Sequence, residues 1–180
     1  MAAKLSKWIT TVCLLALLTA LTAAAGENHT RSPNQEQARQ LARERMAQTI
    51  VALEARMETC EAKQRTLSKT DLEGVDISRD HLRTALVYFH VRNENACMED
   101  KAKDFLLATY LLEEAGVLEN LGDTTQSELA SFVMHTYWQE LEHEVRYRAL
   151  PEKAREKLEA VEALQTPFKL IESGEALGVL

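Results

Sequence analysis

Few residues in this chain could do chemistry, and the two most informative are cysteines. Cys60 and Cys97 are two of three cysteines in 180 residues. The third, Cys13, lies inside an uncharged apolar run near the start. If that run is removed as a signal, exactly this pair is left to form one intramolecular bridge. The alternative use of Cys97 is as a ligand. Met98 follows it and His90 precedes it by seven residues, which is one face of a continuous helix. Thiolate and thioether suit copper(I). A disulfide consumes the thiolate, so the two readings exclude each other, and the bridge is the one expected.

Other chemistries lack parts. Non-covalent haem would need an axial pair such as His90 with Met46 or Met57. A carboxylate-bridged di-iron site needs two Glu-x-x-His motifs and two further glutamates. The chain has one, Glu140-Leu141-Glu142-His143. There is no H-E-x-x-H, no C-x-x-C-H and no G-x-S-x-G. Cys97 could meet His135 or His143 only through tertiary contact. The expectation is a non-enzyme with no cofactor and no metal. A metal- or haem-binding bundle is the alternative.

Binding has a better candidate. The stretch HTYWQELEHEVRYR, residues 135–148, gathers Tyr137, Trp138, Arg146 and Tyr147 within four turns. Aromatic and Arg residues at helical spacing are what protein interfaces use as anchors. They also fill core edges, and Trp138 is expected to pack inside. These four residues form the expected interaction surface, toward an unknown protein partner.

The first 25 residues set the compartment. Lys4 and Lys7 precede an apolar stretch from Ile9 to Leu21, and Ala23-Ala24-Ala25 offers a small-residue cleavage site. This is the order of a secretory signal peptide. Residues 1–25 are therefore expected to be removed, leaving no stable membrane insertion and a periplasmic or secreted protein, where disulfides persist. The chain has 21 basic and 28 acidic residues, a net charge of −7. Losing two lysines and no acid makes it −9. That balance disfavours nucleic acid, whose phosphates repel an acidic surface.

The elements that position these residues read as helices. Residues 26–31 form a leader and 32–166 a single bundle domain. Ser32-Pro33-Asn34-Gln35 is a capping box with proline at the first helical position. Helix one should run to about Leu67, with Met46, Ile50, Leu53, Met57 and Cys60 on its apolar side. Residues 68–78 should be a loop. A second helix starts near Arg79 and carries Leu82, Ala85, Leu86 and Phe89. It falters at Asn93 and Asn95, where asparagine side chains compete for backbone bonds. Phe105, Leu106, Tyr110 and Leu111 then resume the pattern, as one kinked helix or two. A helix from Asp123 should bury Leu129, Phe132, Val133, Trp138, Leu141 and Val145. Pro151 opens a last helix with Ala154, Leu158 and Val161. Residues 167–180 read as a short C-terminal tail, a helical turn or frayed. No segment alternates like a strand, so the fold class is all-α, a four- or five-helix antiparallel bundle after an N-terminal signal peptide.

One geometric problem accompanies the bridge. In a simple hairpin, Cys60 and Cys97 would be out of register by roughly 16 Å at the helical rise. Disulfide Cα atoms need to be within about 7 Å. Either the loop lets helix two slide along helix one, or the asparagine break folds the chain back.

Overall fold

The computed structural model describes residues 32–117 and 123–180. The expected signal peptide and leader lie outside these residues, as do the side chains of Leu129 and Phe132. The described chain is an all-α bundle of five helices: α1 (Pro33–Ala62), α2 (Arg79–Glu114), α3 (Asp123–Arg148), α4 (Glu152–Glu159) and α5 (Leu170–Leu177). Two short 3₁₀ turns, Lys69–Leu72 and Glu162–Gln165, join them. Among the described residues the only extended pairing is an isolated parallel bridge between Arg65 and Phe168.

Helix α1 starts as its sequence dictates. Ser32 Oγ accepts the Gln35 N–H and Gln35 Oε1 accepts the Ser32 N–H, so two donors at the helix start are satisfied reciprocally. The end differs from expectation. The helix stops at Ala62, and residues 65–67 leave it to join the C-terminal segment. Arg65 N–H donates to Pro167 O (3.3 Å), Lys169 N–H to Arg65 O (2.9 Å), and Leu67 N–H to the buried Ser173 Oγ (2.9 Å). Leu67 reaches the core from this extended stretch, not from the α1 stripe.

Helix α2 corrects a second expectation. It runs unbroken for 36 residues through Asn93 and Asn95, a rod of about 54 Å. The asparagines do not break the helix because their side chains bond to other elements. Asn93 Nδ2 donates to Leu164 O (2.9 Å) and Thr166 O (3.0 Å). Asn95 Nδ2 donates to Thr136 O (3.2 Å) and Glu140 Oε2 (2.7 Å). Asparagine costs a helix interior several tenths of a kcal/mol. Each buried bond returns about 1 kcal/mol, so the tertiary contacts win.

Two hydrophobic cores form on this one helix. Around its N-terminal half, Leu86, Tyr88 and Phe89 pack with Leu67, Tyr147, Leu158, Leu164, Phe168 and Val179. Around its C-terminal half, Ala102, Phe105, Ala108 and Leu112 pack with Ala42 and Met46 of α1 and Val133 of α3. The stretch Asn93 to Cys97 lies at the join. The segment 167–180 forms a short helix packed on the core, the helical alternative for this stretch. It carries α5, buries Phe168, Ser173 and Val179, and ends its helix on Gly178 in the left-handed conformation (φ 72°). A Cβ at Gly174 would meet the Leu180 side chain, which would have to shift to make room.

Candidate interaction face and disulfide

Cys60 and Cys97 lie within disulfide distance, sulfur to sulfur at bonding range and Cα to Cα 6.0 Å. The register problem is solved by displacement. Cys60 is two residues before the end of α1, while Cys97 is eighteen residues into α2. The mismatch is therefore about 24 Å at the helical rise. Residues 63–78 run back along the N-terminal half of α2 to make it up. The fold-back at the asparagines does not occur. The pair sits in a ladder between the two helices. Gln64 Nε2 donates to Glu94 (2.7 Å) on one side, and Arg56 pairs with Asp100 (3.2 Å) on the other.

The ligand readings are not assembled. Met46 is buried in the C-terminal core, while His90 packs against Phe168 in the other half. His90 Nδ1 is 2.9 Å from Phe168 O and Nε2 is 3.4 Å from Glu94. Both ring nitrogens are thus engaged. Met57 is exposed on α1. Glu140 accepts from Asn95, so it faces α2. His143 is held below the usual imidazole range by burial and then by Arg146 beside it. Among the described residues no three His, Cys, Asp or Glu side chains are grouped to hold a metal, and no helix is long and apolar enough to cross a membrane.

The four residues expected to form an interaction surface divide between inside and outside. Tyr147 is core, 3% exposed. Its ring stacks on Tyr88 (centroids 4.5 Å apart, 15° between planes) and meets Phe89 edge-on at 5.3 Å. Its hydroxyl donates to Glu159 (3.2 Å). Burial first, then the Glu159 carboxylate, pushes its pKa upward. Tyr137 is half-buried against the C-terminal core. Burial, followed by the charge of Glu99, raises its phenol. Arg146 is exposed. Trp138, expected inside, points out.

It does not point out alone. Met134, Trp138, Leu141 and Val145 are 54, 61, 53 and 70% exposed. Their spacing of four, three and four makes one stripe about 16 Å long on the outside of α3. Leu141 and Val145 were expected in the core, and this too is corrected. The inner face of α3 uses Val133, Thr136, Glu140 and Tyr147 instead. Asn95 donates to the backbone carbonyl of Thr136 and to the Glu140 carboxylate on this inner face. The Trp138 Nε1–H donates to Glu142 at 3.0 Å, one turn further along the helix. Sequence reasoning missed Met134 altogether, and the heptad spacing was the signal that could have found it.

The class defined here is an all-α protein organised on one long central helix, with a cysteine pair at its midpoint and an apolar stripe left outside. Comparison with known protein families, with curated proteins and with solved structures finds no match to this chain.

Proposed function

We propose that this chain is a small exported helical protein that works by binding another protein through the outer face of α3. One observation carries the reading: four large apolar side chains at heptad spacing face water on a helix whose other face is packed. Apolar side chains scattered singly on a surface need no explanation, but a contiguous patch marks an interaction site. Trp138 is the natural anchor, a rigid aromatic held by Glu142. Arg146 borders it. Export is supported by the signal-like order of residues 1–25 and by the Cys60–Cys97 pair at disulfide distance.

Site-specific photo-crosslinking in the native host tests the binding role. A photoreactive residue at Trp138 or Val145 should yield discrete adducts. The same residue at Ile171, an exposed apolar position on α5, should not. Equal adducts at all three positions, or none, refute the proposal. The intact mass of the host's own protein tests export, with loss of residues 1–25 expected.

A further inference from the structure

We propose that the Cys60–Cys97 bond is an exchangeable latch: a dithiol reductant opens it by attack on Cys97, and opening loosens residues 50–64 from α2. The burial pattern along α1 carries the argument, independently of the α3 face. Met46 and Thr49 are buried in the first part of α1, and Leu67 is buried beyond its end. From residue 50 to residue 66, Cys60 alone is buried. Ile50 and Leu53 are only partly buried against the C-terminal core. Val51 and Met57 face water. Among the described residues, the polar side-chain contacts from this stretch to α2 are Arg56–Asp100 and Gln64–Glu94. Exposed polar pairs of this kind hold little. A helix segment of about 12–15 residues is marginal in water without packing. The bridge is therefore the main tie of this stretch, between fixed ends at Thr49 and Leu67.

The two cysteines are not equivalent. Cys97 is half-buried and Cys60 is buried, so an incoming thiolate meets Cys97. It bonds to the Cys97 sulfur, the Cys60–Cys97 bond breaks, and the electron pair of that bond leaves on Cys60. Arg56 stands one turn before Cys60 on the same face of α1 and crosses to Asp100 on α2. Its Nε–H is buried and has no hydrogen-bond partner while the bridge is closed. A buried donor without an acceptor calls for a reason. The anionic sulfur released one turn away is an acceptor of the right charge. The reductant's second thiolate then attacks its own sulfur in the mixed disulfide, and Cys97 leaves as a thiolate. The dithiol ends as a disulfide, having given two electrons, and both cysteines take protons from water. The reverse steps close the latch.

Hydrogen exchange of the whole protein, bridged and after dithiothreitol, tests the latch. Amides of residues 51–62 are compared with those of residues 85–112 in the same sample, which cancels any change in global stability. Their rate ratio should rise at least roughly 30-fold on reduction. An unchanged ratio overturns the proposal. So does a reduced protein that circular dichroism shows to be unfolded, since the bond is then a structural staple. The chemistry is read by adding glutathione to the native protein, quenching with iodoacetamide and mapping the peptides by mass. Glutathione should be found on Cys97 and the alkyl group on Cys60. The opposite placement, or exchange only in urea that unfolds the chain, overturns the proposal as well. Arg56→Gln should slow the dithiothreitol reaction roughly 10-fold. Asp100→Asn, which breaks the same ion pair but keeps the guanidinium, should not slow it. Equal rates in the two variants overturn the role given to Arg56.

Discussion

Removing the Cys60–Cys97 bridge tests how the long helix is held to α1. The perturbation is the double variant Cys60→Ser, Cys97→Ser, compared with the reduced wild type. The bridge closes a loop of sequence separation 37. In the chain-entropy treatment that restricts the unfolded state by about 4 kcal/mol. The native side loses little more. Gln64–Glu94 and Arg56–Asp100 continue the α1–α2 ladder on both sides, and Ala42 and Met46 stay packed on α2. The expected loss is therefore about 4 kcal/mol from a total of about 5–15. Urea titration followed by circular dichroism reads it. With a slope of roughly 2 kcal/mol/M the midpoint should fall by about 2 M. The slope itself should rise, because the unbridged denatured chain exposes more surface. A shift below about 0.5 M would refute the reasoning, as would a reduced wild type that differs from the double variant.

Three further outcomes follow from the same contacts. Asn93→Ala should cost about 2–4 kcal/mol by urea titration, because the carbonyls of Leu164 and Thr166 lose their common donor at a buried position. Tyr147→Ala should cost about 3–5 kcal/mol, whereas Trp138→Ala, on the outside of the same helix, should change monomer stability by no more than about 0.5 kcal/mol. Asp71 is depressed to about 2, by hydrogen bonds from the Ser68 backbone and side chain and then from Arg65. A carboxylate lowered in the folded state stabilises above its unfolded value near 4 and loses that contribution as pH falls from 4 to 2. Solvent around the half-exposed Arg65 limits the effect to about 1 kcal/mol. Asp71→Asn should flatten the acid limb of a stability-versus-pH curve by that amount.

What could be read from the sequence was local chemistry. Ser32-Pro33-Asn34-Gln35 sets the start of α1 through its own side chains, so it needs no knowledge of the rest of the chain. Ser78 caps α2 in the same way, accepting the His81 N–H at 3.2 Å. The pairing of Cys60 with Cys97 follows once Cys13 is set aside with the expected signal, and the all-α class follows from periodicity. What could not be read depends on distant partners. Asn93 and Asn95 look like helix breakers until Leu164, Thr166 and Thr136 offer them carbonyls. Leu67 looks like the last apolar residue of α1 until Ser173 captures its N–H.

The α3 error has a different origin and bears on function. A heptad of Met134, Trp138, Leu141 and Val145 says that a helix face wants to leave water. It does not say what covers it. Assigning that face to the chain's own core was the economical reading for Trp138, Leu141 and Val145. It failed because α2 presents Asn95 to α3, where the donor meets the Glu140 carboxylate and the Thr136 backbone carbonyl. The apolar face is then turned outward by the same rotation that satisfies the asparagine. Asn95 thus links the interior of the bundle to its exposed stripe. Asn95→Leu would remove the donor and favour an apolar face of α3 turning inward. The expected readout is a shift of Trp138 fluorescence toward the blue, together with loss of whatever association the stripe supports. Unchanged emission in a folded variant would show that Val133 and Tyr147 alone fix the rotation of α3.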